Sequence, residues 1–192
     1  MSINATLAAK SRQHTVYKLA DGTRVPGVTT VLNILAKPAL IAWANRMGLQ
    51  GIDTTKYVDA AANAGTCCHA MIEAHLKGEP FDASLFDPAT IDIAENGYLK
   101  YLDWEAGHKL ADIHSEMQLV SEQHRYGGTV DLYCTLDGVP TLVDFKTNQS
   151  GIYDEMMHQV AGGYRLLLEE HGMPVKQVLV FRKRILGERA KK

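Results

Sequence analysis

Between residues 127 and 147 the sequence places two aspartates and a lysine where they can act together. "GGTVDLYCTL" and "VPTLVDFKT" are apolar runs joined by Asp137-Gly138, the dipeptide of a tight hairpin turn. Pairing across that turn brings Asp131 and Asp144, at near-equal distances from it, to the same end of the sheet. Two carboxylates in an apolar setting repel each other and lose hydration. A divalent cation is the simplest compensation, and oxygen ligands suit Mg²⁺ or Mn²⁺. Asp144 and Lys146 share a face through the period of two along a strand. An ammonium there could orient an attacking water or offset charge in a phosphoryl transition state. The Phe145 carbonyl lies between them and offers one more oxygen ligand. Glu116 opens the preceding strand, one strand from Asp131. His69 and Glu73 are spaced i, i+4 and share a helix face, as a further ligand and its partner.

The elements that must hold these groups follow from periodicity. "LADGTRV" reads as a short hairpin, and "PGVTTVLNIL" as a brief helix capped by Thr29 or Thr30. "KPALIAWANRMG" has Pro38 at a helix start and Gly48 at its end. Residues 53–78 read as one long helix, or two broken near Gly65, stopped by Gly78. Residues 89–108 carry apolar residues at helical spacing. Three strands follow: "HSEMQLVSE" and the two arms of the Asp137-Gly138 hairpin. A helix ending at Gly172 and a last strand, "VKQVLVFRKRI", complete the order. The expected fold is α/β, a central mixed sheet flanked by helices in the order αβββαβ, with an N-terminal hairpin and helical extension over 1–50. The core spans 51–185 and a basic tail 186–192, all in one domain.

Composition narrows the classes. The chain has 192 residues, 46% hydrophobic and 22% charged, with no apolar run of bilayer length. The N-terminal residues lack the apolar core of an export signal, so a cytoplasmic location and no membrane partner are expected. Three cysteines fit neither a disulfide framework nor a metal knuckle. The net charge is −2, unevenly spread: residues 1–50 carry six Lys/Arg against one acid, 176–192 seven against one, leaving the middle at −13. Basic ends around an acidic middle suit phosphate contacts beside a carboxylate-lined metal site. Lys37, Arg182, Lys183 and Arg184 are the candidate DNA contacts. "FRKR" reads equally well as a solvated strand end.

"GGTVDL" followed by "LVDFKT" resembles the core of the PD-(D/E)xK nuclease superfamily, with its first acid on Asp131 and its D-x-K on Asp144 and Lys146. "GTCCHAMIE", with His69 and Glu73, and "HQVAGGY", with Gln159 and Tyr164, are similar to motifs of the RecB-like and phage-type exonucleases. Glu116 matches the acid that precedes the G-x-x-D strand there. The resemblance implies a restriction-endonuclease-like core and Mg²⁺- or Mn²⁺-dependent hydrolysis of DNA. It implies an exonuclease of phage recombination, repair or genome processing, partnered by DNA and a single-strand annealing or recombination protein, with a homo-oligomer open. Metal ligands would come from His69, Glu116, Asp131, Asp144 and Phe145. Lys146, Gln159, Tyr164 and Glu73 would join the two aspartates in catalysis. The cysteine placement speaks against an iron–sulfur cluster. D-x-K alone arises in many strands; the ordered set is the signal. A catalytically silent binding module on the same fold, or a hydrolase acting on RNA, is the alternative.

Overall fold

The computed structural model describes residues 15–35, 37–147 and 153–182. Strands β1 (Tyr17–Lys18) and β2 (Arg24–Val25) form the N-terminal hairpin, with Gly22 at φ +85° in its turn. Helix α1 (Val28–Leu32) starts at Gly27 without a side-chain cap. Neither Thr29 nor Thr30 is the cap: burial of Val28, 4% exposed, fixes the phase and draws both threonines into the helix. Helix α2 (Pro38–Leu49) has Pro38 in its first turn and runs one residue past Gly48; Gly51, at φ +71°, follows it.

Helix α3 (Thr54–Lys77) is a single 24-residue helix, capped by the Asp53 carboxylate, which accepts from the Thr55 and Lys56 N–H groups. Gly65 does not break it. A Cβ there would stand 2.7 Å from Thr147 Oγ1, so the glycine serves close approach to the strand that carries the lysine. Gly78 ends the helix in the left-handed conformation. A 3₁₀ turn (Ala83–Leu85) leads to α4 (Pro88–Glu105), capped by Asp87 on the Thr90 N–H at 3.0 Å.

The main sheet is mixed and four-stranded, in the order β3 (Leu110–Ser121), β4 (Tyr126–Leu136), β5 (Val139–Lys146), β6 (Gln177–Arg182). The first two pairings are antiparallel and the β5–β6 pairing is parallel. Asp137 and Gly138, at φ +50° and +86°, make the turn between β4 and β5. The crossover to β6 is helical but not uniform: α5 (Asp154–Met157), a π-helical segment (His158–Tyr164), then α6 (Arg165–Glu170).

Helices cover both faces. One face packs Cys67, Cys68, Met71 and Ile72 of α3 and Tyr101 of α4 on Leu132, Cys134, Val143 and Phe145. The other packs Val28 of α1, with Val160, Tyr164, Leu167 and Leu168, on Val130, Tyr133 and Leu142. Cover on both faces explains why β5 reads as a continuous apolar run. The fold is therefore α/β, with a mixed four-stranded sheet between helical layers. Among the described residues no helix is long and apolar enough to cross a membrane.

Candidate metal centre

The pleat of β4 reverses phase at Asp131. Val130 and Leu132 stand two residues apart, yet one packs in the second core cluster and the other in the first. Regular alternation would put both on one face. Glu116, opposite Asp131 by extension of the β3–β4 register, has φ +49°. A glutamate in that region is uncommon, and such conformations gather at functional sites. The β4–β5 ladder pairs Leu132 with Val143 and goes no further in that direction. Beyond it the Phe145 N–H donates to the Asp131 carboxylate Oδ2, at 2.8 Å, in place of a ladder carbonyl. The strands open at this end, and side chains from both faces can meet.

Three groups converge in the opening. His69, Glu116 and Asp131 offer donor atoms all within 4.8 Å of one another. His69 Nδ1 is 3.8 Å from both Glu116 Oε1 and Asp131 Oδ1, too far for a hydrogen bond. His69 Nε2 lies 3.0 Å from the Phe145 carbonyl oxygen, where its N–H donates. Glu73, on the same helix face as His69, lines a cleft of about 390 Å³ together with His69, Glu116, Gly65 and Thr147, but its carboxylate pairs with Lys77.

Asp144 stands beside this group without belonging to it. It is 1% exposed, and Lys146 Nζ lies 2.8 Å from its Oδ1 and 2.6 Å from its Oδ2. Only the contact to Oδ1 has hydrogen-bond direction; Oδ2 is buried with a close cation and no hydrogen bond. The carboxylate within ligand range of Asp131 in this donor group is thus that of Glu116, from β3, while Asp144 is held by the lysine.

The electrostatics describe a site with surplus negative charge. Burial pulls the His69 imidazole down, but the Asp131 carboxylate, and after it Glu116, outweigh burial and raise it to about 9. Burial, with Glu116 nearby, pushes the Asp131 carboxyl up against the pull of His69 and Lys146. Burial and the charge of Asp131 push Asp144 up to about 6, even with Lys146 alongside.

A divalent ion fits these donors. Ligand bonds of about 2.0–2.2 Å place two donors on one ion about 3–4 Å apart, which matches His69 Nδ1 to Glu116 and Asp131, while the His69 Nε2 N–H holds the Phe145 carbonyl beside them. Asp144 Oδ2, buried and without a hydrogen bond, lies beside this group against the Lys146 ammonium at 2.6 Å.

The remaining candidates fall in different places. Gln159 and Tyr164 are joined, Gln159 Nε2 donating to the Tyr164 hydroxyl at 2.7 Å. Tyr164 is buried, and the hydroxyl is raised by burial first and by Asp131 and Asp144 after it, which puts it near both carboxylates. Parallel pairing sets Arg182 beside Lys146, on the face where Val180 lies beside Asp144. Lys37 is engaged elsewhere: its Nζ donates to Glu155 at 2.8 Å and to Asn33 at 3.0 Å. Lys183 and Arg184 lie outside the described residues. The sequence did not single out Thr147, which meets Gly65 at the cleft. No residue spacing marks it, because the close approach of Thr147 to Gly65 is set by packing of α3 on the end of β5.

The sequence matches no protein-family model and no curated protein sequence. The motifs and the geometry around them carry the functional reading.

Proposed function

We propose that this protein is a metal-dependent DNA nuclease of the PD-(D/E)xK type, with a restriction-endonuclease-like core, acting as an exonuclease in phage recombination, repair or genome processing. The observation that carries the reading is the meeting of His69, Glu116 and Asp131 at the open end of β4 and β5, beside the buried Asp144–Lys146 pair. His69, Glu116, Asp131 and Asp144, with the Phe145 carbonyl, would hold Mg²⁺ or Mn²⁺. A bound cation would supply Lewis-acid polarisation of the phosphate and a more acidic water.

The chain's own groups do the rest. Lys146, fixed by Asp144 at the edge of the buried site, donates toward a water or a phosphate oxygen and offsets developing negative charge. Asp131 is oriented by the Phe145 N–H, which leaves Oδ1 turned toward His69. The small residues Ala61, Ala62, Gly65 and Ala70 of α3 line the cleft by which a backbone phosphate would approach. Arg182, beside Lys146, is a phosphate contact in this reading.

End-labelled linear and circular DNA, incubated with Mg²⁺, Mn²⁺ or EDTA, tests the proposal. Degradation of linear but not circular DNA, only with metal, is expected. Circular DNA cut as fast as linear would make the enzyme an endonuclease. Cleavage of RNA alone would favour the alternative substrate, and DNA binding undiminished in Lys146→Ala without any cleavage by the native protein would favour a silent module.

A further inference from the structure

Gln159 and Tyr164 are five residues apart, which on a regular α-helix separates two side chains by about 140° around the axis. Yet they are hydrogen-bonded at 2.7 Å. The seven-residue π-helical segment His158–Tyr164 resolves the mismatch: a π turn closes residue i on i+5, as the Arg165 N–H closes on the Val160 carbonyl. On either side the run is α-helical. Short π segments inside α-helices are frequent at functional sites.

The segment is anchored on both flanks. The Tyr126 hydroxyl donates to the Gly163 carbonyl at 2.9 Å, and a Cβ on Gly163 would lie 2.5 Å from Val28 Cγ1. Gly162 faces open space, with nothing within 4 Å of a Cβ. Tyr164 packs on Gly128, where a Cβ would meet its ring at 2.8 Å, and shares a core cluster with Val130 and Leu142, the neighbours in sequence of Asp131 and near-neighbours of Asp144. The phenol oxygen accepts from Gln159.

We infer that the π turn absorbs one extra residue in the crossover helix, and that it does so to keep Gln159 and Tyr164 as one coupled positioning unit over the Asp131–Asp144 end of the sheet. This rests on the nuclease reading for its catalytic consequence, but not for its geometry. Removing one residue converts i+5 to i+4, which an ordinary α-helix places on one face. Adding one residue has no such solution.

The test is therefore asymmetric. Deleting Gly162 should preserve the Gln159–Tyr164 bond and metal-dependent cleavage, whereas inserting one alanine after Ala161 should abolish both. Gln159→Ala and Tyr164→Phe should each lower kcat on the order of tenfold, as partners that orient site groups do, with KM for DNA unchanged, and the double variant should lose no more. The bond has its own readout: the Gln159 side-chain amide resonance should move on Tyr164→Phe in the native protein and in the Gly162 deletion, but not in the insertion. A deletion as damaging as the insertion in a folded protein, an amide resonance indifferent to Tyr164→Phe in the native chain, or additive losses in the double variant would overturn the inference. If the native protein cuts no DNA, the nuclease reading fails while the amide resonances still decide the π-turn geometry.

Discussion

Asp144→Asn is expected to make the metal-free protein more stable while removing its activity. Asp144 is 1% exposed, and burial with Asp131 nearby lifts its carboxyl from 3.8 to about 6. At about 1.4 kcal/mol per tenfold change, ionising it in the folded state costs on the order of 3 kcal/mol at pH 7. The sign follows from linkage. Below pH 3.8 the group is protonated folded and unfolded, and no cost arises. As pH rises, the native state holds its proton longer, so stability falls, and the loss is complete above about pH 6. Asparagine is a neutral isostere and escapes this cost, so in EDTA at pH 7 its melting temperature should rise by up to about 6–12 °C. At pH 3.5 the two proteins should melt together. Saturating Mg²⁺ should stabilise the native protein more than the variant, because ligand binding adds about 2.7 kcal/mol at a hundredfold excess over Kd. Calorimetry in EDTA at both pH values checks this. A variant less stable than the native protein at pH 7 would show instead that Lys146 fully compensates Asp144.

Other perturbations have equally direct outcomes. Gly163→Ala places a Cβ 2.5 Å from Val28 Cγ1 and should cost about 1–3 kcal/mol through overpacking, read as a lower denaturant midpoint at unchanged slope. Asp87→Ala removes the cap of α4 and should cost about 1 kcal/mol at neutral pH. Hydrogen bonds from Thr90 hold the Asp87 carboxyl below 3.8, so its contribution is present above that pH and lost as pH falls through the lower folded value; the variant should therefore converge with the native protein in acid. His69→Ala should weaken Mn²⁺ binding by more than the roughly 10–100-fold that loss of an outer-shell partner costs, read by titration calorimetry, and unchanged affinity would remove His69 from the ligand set.

The strand pair was legible because its signals are local. Asp137-Gly138 fixes a two-residue turn, and that turn sets the register that brings Asp131 toward Asp144. The i, i+4 spacing put His69 and Glu73 on one face, and period two put Asp144 and Lys146 on one face, where the structure shows them as an ion pair. Other features depend on information that residue spacing does not contain. Any apolar pattern at three- and four-residue intervals reads as α-helix, so the π turn at His158–Tyr164 is invisible until its backbone is seen. The left-handed Glu116 is hidden because turn signals are read from glycine, asparagine and aspartate. The choice of Glu116 over Asp144 as partner to Asp131 depends on the pleat reversal, which tertiary packing from two helical layers imposes. Lys37 looked free for phosphate because Glu155, its partner, lies 118 residues away.

In the proposed nuclease, His69, Glu116, Asp131, Asp144 and Lys146 form one metal-dependent hydrolytic site. Its most direct test is the rate of hydrolysis of end-labelled linear DNA as Mg²⁺ or Mn²⁺ is titrated, for the native protein beside Asp131→Asn and Lys146→Ala. Saturable, EDTA-abolished hydrolysis by the native protein is expected, with loss of it in both variants while the fold stays intact. Hydrolysis that persists in EDTA, or survives in either variant, would contradict it.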